Sequence, residues 1–358
     1  SPKNKKNQIR LEGILGTIDS NTFEANFSYA QKDTSTVIDI SEFNLKSDTI
    51  VWELERTIGN QIVYDSKVKV YDVNPIAIAN SDQRIQLSGK YSSKDEFDFQ
   101  LDLNNIAVEP FLPPSDNYQI QADLNSNISF YKTPLRNDAS LNITLSDLFI
   151  NKVEMGYLMI ISSGNTVLNS YKNELTLIKD QAKNLSIRGG VLVHEKRTTL
   201  DMDIEMNSFD MSFLSRLGKG KITEITSLLT GEFNLWGPLD NLTHTGNLIL
   251  DDFNMTIPFT NTAYRLEEST KLILSEQEIK FVSTSFFDQT RETVGRLKGT
   301  ISHLNFKDWS MDMNINSDRL LLMNRMKEKG SLFYGLGYLQ GDIHVHGPTK
   351  NLMIDVDG

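Results

Sequence analysis

Two histidines two residues apart, His344 and His346, are the pair best spaced for chemistry in this sequence. On a strand, residues i and i+2 share one face, and two imidazoles so placed could ligate zinc. A third ligand would have to come from elsewhere, because no His-Glu-x-x-His pattern or neighbouring carboxylate completes the set. The expectation is a solvated surface pair and no metal. His194, His244 and His303 stand alone. Gly218-Lys219-Gly220-Lys221 lacks the strand-to-helix context that a phosphate loop needs. No Gly-x-Ser-x-Gly elbow is present. There is no cysteine, which removes thiolate metal sites, cysteine nucleophiles and disulfide frameworks. Carboxylates are plentiful, but they fall on the polar side of alternating segments, where solvation explains them. The chain is expected not to be an enzyme and to carry no cofactor.

Those alternating segments are the dominant pattern. Phe97, Phe99, Leu101 and Leu103 interleave with Asp98, Gln100 and Asp102. Leu200, Met202, Ile204 and Met206 interleave with Asp201, Asp203 and Glu205, and Trp309, Met311, Met313 and Ile315 with Ser310, Asp312 and Asn314. Strand side chains alternate between faces with a period of two, so each segment has one apolar and one wet face. Antiparallel sheets solvated on one side read this way, and buried parallel sheets do not.

The segments are also copies. Each follows a short strand ending in glycine, and Gly89, Gly189 and Gly299 recur at intervals of 100 and 110 residues. Each is followed by a strand and a proline turn, with Pro134, Pro238 and Pro348 spaced by 104 and 110 residues. Two marker series with nearly one period indicate an internal repeat of roughly 100 to 110 residues. The expected organisation is a β repeat over 1–105, entered mid-repeat, and a second over 106–210. A third follows over 211–318, with a short helical segment at its start, and a truncated one over 319–358. Residues 211–229 and 320–334 space their apolar side chains in roughly helical fashion, so short amphipathic helices or helical turns are expected there, plugging the open side of a sheet or acting as lids or lipid-surface contacts. Residues 108–114 are too proline-rich for more than a loop. The fold class is therefore all-β: an elongated folded antiparallel sheet, a repeating β-groove or "β-taco", with short helices between repeats.

The 358 residues carry a net charge of −11, which argues against a nucleic-acid surface. The short basic start at Lys3, Lys5 and Lys6 is read as a frayed edge rather than a binding arm. No run of about 18 apolar residues offers a membrane-spanning helix, and no signal peptide is visible. Both ends, at Ser1 and Gly358, are expected to be cuts through a longer protein. Asn-x-Ser/Thr triplets such as Asn142-Ile143-Thr144 are taken as compositional.

The passage Gly231-Glu232-Phe233-Asn234-Leu235-Trp236-Gly237-Pro238-Leu239-Asp240-Asn241, followed by Gly246-Asn247-Leu248-Ile249-Leu250, resembles the turn grammar of the TamB family. Pro258 to Arg265 is similar to that family's proline-to-tyrosine segment. Gly341 to Asn351 repeats the first motif, and Asn127 to Asn137 is a degenerate copy lacking the glycine before Pro134. Leu242 and Leu352 stand where the family usually has a second proline. The likeness covers the chain from about residue 85 onward, and the first 80 residues only by texture.

The resemblance implies an AsmA-like periplasmic protein of a diderm bacterium, and the many Asn, Lys and Ile residues suit a Bacteroidetes-type source. Such a protein is anchored in the inner membrane by a segment absent here and reaches an Omp85-type (TamA-like) outer-membrane barrel partner. It implies a β-groove carrying glycerophospholipid between membranes in support of outer-membrane biogenesis, with phospholipid as the ligand and no nucleic acid. The candidate lining is the apolar set of the three alternating strands: Phe97, Phe99, Leu101 and Leu103, then Leu200, Met202, Ile204 and Met206, then Trp309, Met311, Met313 and Ile315. The alternative is a scaffold or chaperone that offers sheet edges to outer-membrane strands during insertion or secretion, without carrying lipid. A carbohydrate-binding β-solenoid would instead call for aromatic platforms on the outer face.

Overall fold

A computed structural model of the chain describes residues 7–14, 22–47, 50–115, 117–165, 167–194, 197–218, 220–327 and 334–358. Lys3, Lys5, Lys6, Lys219 and Leu332, singled out above, lie outside the described residues. The described chain is almost entirely β-strand, with 23 strands assigned to one sheet, and every strand pair whose register is defined is antiparallel. The first nine strands are β1 (Asn7–Ile14), β2 (Thr22–Lys32), β3 (Ser35–Ser47), β4 (Ile50–Leu54), β5 (Gln61–Asp65), β6 (Val70–Asn80), β7 (Gln83–Ser93), β8 (Glu96–Ala107) and β9 (Ile120–Thr133). The next seven are β10 (Arg136–Ile150), β11 (Val153–Asn165), β12 (Ser170–Lys179), β13 (Ala182–Val193), β14 (Thr198–Asp210), β15 (Thr223–Pro238) and β16 (Thr243–Ile257). The last seven are β17 (Thr262–Leu266), β18 (Thr270–Glu276), β19 (Glu278–Asp288), β20 (Val294–Leu304), β21 (Lys307–Arg325), β22 (Gly335–Pro348) and β23 (Met353–Asp357).

The chain divides into two compact units. Unit 1 comprises residues 1–112, 122–146 and 158–171; unit 2 comprises 113–121, 147–157 and 172–358. Within each unit most strands pair with the strand before them in sequence. Short strands are bridged in pairs: β3 takes both β4 and β5, and β16 takes both β17 and β18.

The repeat is visible as register. In each alternating strand the residue opposite the marker glycine is apolar: Gly89 faces Phe99, Gly189 faces Met202, and Gly299 faces Met313. A Cβ at any of these glycines would overlap the carbonyl oxygen of Asp98, Asp201 or Asp312 on the neighbouring strand. The backbones approach so closely there that only glycine fits. A bulge then interrupts each alternating strand at a comparable place, between Leu103 and Ile106, between Met206 and Phe209, and between Ser317 and Leu320.

The bulge in β21 corrects the helix expectation at 320–334. An inserted residue shifts the apolar side chains out of period-two phase, and a three-residue step in an alternating pattern mimics helical spacing. Leu320 to Arg325 continue β21, with Leu320 and Leu321 fully buried, and no helix forms among the described residues of 320–334. Of 211–229, only Ser212–Gly218 form a 3-10 turn, and β15 begins at Thr223. At 108–114 the expected loop contains one 3-10 turn over Glu109–Phe111.

Because Gly299 has a left-handed φ of 159° and no room for a side chain, Gly299→Ala is expected to cost about 2 kcal/mol or more in urea unfolding. Gly59 meets only Asn74 Cβ, at 3.6 Å, so Gly59→Ala is expected to change stability by less than about 1 kcal/mol. Equal costs at the two positions would contradict the close-approach account.

Candidate functional site

The expected lining residues all lie on the apolar side of their strands, but the two units treat that side differently. In unit 1 one rung of cross-strand partners runs Tyr29, Ile38, Ile62, Val73, Gly89, Phe99, Phe130 across seven strands. Directly opposed residues project from the same face, so the rung is apolar throughout, with Phe99 lying over Gly89. The next rungs repeat this: Ile76, Leu87, Leu101 and Ile128, then Leu54, Ile78, Ile85 and Leu103.

This face is not a dry core. Phe97, Phe99, Leu101 and Leu103 are half-buried. Leu11, Phe130, Tyr71 and Leu87, which share the face, remain 50%, 47%, 41% and 41% exposed. Single exposed apolar residues are ordinary, whereas a contiguous set on one face marks an interaction surface.

One margin of the face is aromatic. Tyr64, Tyr71, Tyr91 and Phe97 occupy one rung, with Tyr64 and Tyr71 stacked at 4.5 Å between ring centroids and Tyr71 and Tyr91 at 6.3 Å. The rung continues into Thr36 and Gln31 on one side and Lys132 on the other. Lys132 pairs with Asp95 at 3.2 Å. Tyrosine suits such a border, with an apolar ring and a hydroxyl that reaches water.

In unit 2 the corresponding face closes on itself. Leu229, Leu248, Leu250, Leu272, Leu274 and Leu297 belong to one buried cluster that also contains Met313, with Met206, Met311 and Ile315 packed against it. Tyr264 on β17 donates its hydroxyl proton to the Leu321 carbonyl on β21 at 2.9 Å, which fastens that closure. Burial works to raise the pKa of Asp288, yet hydrogen bonds from the Thr293 side chain and the Thr290, Arg291 and Thr293 backbone amides hold it below its ordinary value. Met313 is therefore a core residue here, and Met206, Met311 and Ile315 pack half-buried against that core. Ile204 is buried, while Leu200 and Met202 are half-buried.

Trp309 belongs to a box that sequence reasoning missed. It packs on His303 at 4.7 Å between centroids, and Phe306 stacks on the same imidazole at 4.4 Å. His303 and His244, 6% and 1% exposed, bring their Nε2 atoms to 2.9 Å. The Phe306 amide donates to His303 Nδ1, so the His303 proton sits on Nε2 and is given to His244 Nε2. That places the His244 proton on Nδ1, which has no hydrogen-bond partner among the described residues. The two histidines are 59 residues apart in sequence, and no local pattern announces them.

His344 and His346 stand on the polar face of β22, where the sequence reading placed them. Their rings stack at 4.3 Å, and two carboxylates from neighbouring strands reach them: Asp312 to His344 at 2.9 Å and Asp355 to His346 at 2.8 Å. A carboxylate companion is thus supplied by the fold and not by the adjacent sequence.

Comparison of the chain with protein-family models, with curated proteins and with solved structures finds no match.

Burial, and then the facing His303, push the His244 pKa down to about 4 from 6.5; burial also lowers that of His303. A base with a folded-state pKa below its unfolded value binds its proton more readily unfolded. Stability is therefore complete above about pH 6.5, falls as the pH drops toward about 4, and levels off below. At about 1.4 kcal/mol per pKa unit His244 alone accounts for a loss of about 3.5 kcal/mol, and His303 adds to it. Urea unfolding between pH 7 and 5 should show this slope, and a His244→Leu/His303→Leu double variant should flatten it. An unchanged slope in the double variant would assign the pH dependence to other groups.

Proposed function

We propose that the chain is a lipid-binding segment of a TamB-like, AsmA-type periplasmic bridge protein, and that glycerophospholipid acyl chains lie on the apolar face of unit 1. The observation that carries this reading is the contiguous half-exposed apolar face of β1–β9, whose longest rung contains no polar side chain between Tyr29 and Phe130.

A folded chain that could bury such a face would gain about 25 cal/mol for each Å² removed from water. Leaving it accessible makes sense where an apolar ligand covers it. Each acyl methylene moved from water onto the face contributes about 0.8 kcal/mol. The absence of directional contacts along the rungs lets a chain be held strongly and still slide. The tyrosine rung suits the level at which acyl chain gives way to headgroup. The outer-membrane barrel partner, the inner-membrane anchor and the periplasmic location follow from the resemblance in the turn motifs and belong to the same proposal.

The test is solvent extraction of the purified chain followed by mass spectrometry of the extract. Phospholipid is expected to co-purify. A Leu87→Asp/Phe130→Asp variant, altered at two accessible positions, is expected to lose it severalfold while unfolding at an unchanged urea midpoint. A Gln100→Ala variant on the polar face should retain it. Absence of lipid in repeated preparations, together with crosslinking to unfolded barrel proteins, would move the assignment to a scaffold that binds strands.

A further inference from the structure

The polar face of β21–β23 concentrates ligating groups beyond what a solvated strand needs. His344 and His346 project from one strand with rings 20° from parallel. His344 lies directly opposite Asp355 on β23, and His346 directly opposite Asp312 on β21. The ion pairs run diagonally, His344 with Asp312 and His346 with Asp355, so all four side chains lean into one patch. Ligand atoms of His344, His346 and Asp355 already lie within 4.8 Å of one another.

Asp342 faces Asp357 on the next polar rung of the same two strands. Like charges directly opposed across a pair are unfavourable, and Asp342 accepts from a neutral donor, the Asn316 amide, at 2.8 Å. Four carboxylates and two imidazoles thus share a patch whose cross-strand cations, Lys298 and Arg296, stand one strand further off, beyond Asn314 and Asn316. The surplus is negative, and the donors are nitrogen and oxygen.

We propose that His344, His346 and Asp355 bind a divalent transition-metal ion of the zinc class, with Asp312 as the fourth ligand. Zinc takes four nitrogen and oxygen donors at about 2.0–2.2 Å in a tetrahedron. Drawing donors from within 4.8 Å to that spacing requires only rotamer changes in side chains that are accessible to solvent. Imidazole nitrogen selects zinc, nickel or copper over magnesium and calcium, which demand oxygen ligands and higher coordination. A bound ion would tie β22 to β23 and neutralise the opposed aspartates beside it.

Isothermal titration of the whole chain with zinc chloride tests this. One ion per chain is expected, with unfolding moved to higher urea. His344→Ala/His346→Ala should weaken binding at least tenfold, and Asp355→Asn should weaken it severalfold. His194→Ala, at an exposed histidine outside the patch, should leave it unchanged. The variants' unfolding midpoints without zinc should match the parent, because the altered groups are accessible. Zinc binding that persists in the double-histidine variant, or that calcium displaces at equal concentration, would overturn the assignment; so would a titration showing no binding.

Discussion

A strand with strict alternation has one face that water rejects, and 23 such strands in one sheet have little except the sheet itself to cover that face. The rest of the molecule follows from how this demand is met. In unit 2 it is met internally: β17 comes against β21, Tyr264 fastens to the Leu321 carbonyl, and the leucines of β15, β16, β18 and β20 make a dry cluster. In unit 1 the same chemistry is left half finished, with small residues such as Ala25 and Ala122 buried beside Trp52 and Ile106, while phenylalanine, leucine and tyrosine on the face stay accessible. One repeated sequence pattern thus yields a core in one place and a free surface in another. The difference lies in what packs over the strands and not in the strands themselves.

The polar face meets its own requirement locally. Asn127 donates to Asp102, Asn234 to Asp203 and Asn316 to Asp342, each across one strand pair. Amides placed among carboxylates let a strongly acidic face keep its charges without stacking them against each other at every rung. The region of β21–β23 departs from that rule, with Asp342 facing Asp357 and two imidazoles drawn between aspartates.

Much of this could be read in the sequence, and the failures share a cause. Period-two alternation located the three repeat strands as strands, and the glycine series appears in the structure as matching registers. At 211–229 a short helical turn does form, over Ser212–Gly218, whereas the helix expected at 320–334 was a phase shift at a bulge, which periodicity cannot tell from a turn of helix over so few residues. Whether Phe99 or Met313 would be covered depended on strands far away in sequence. The His244–His303 contact and the approach of Asp312 and Asp355 to the β22 histidines are likewise cross-strand events, set by register. Local spacing carries information about faces; only pairing says what meets on them.

The mostly next-neighbour pairing also bears on how such a chain is made. Each strand finds its partner within a few tens of residues, so loop-closure entropy stays small at every step, and contact order is low for a β protein. A new hairpin can dock on the edge left by the previous one as soon as it emerges, without waiting for the far end. The bulges and glycines would then act as register pins during growth. A strand that slipped by one residue would press a side chain onto the carbonyl beside Gly89, Gly189 or Gly299, and would be rejected before the next strand was added.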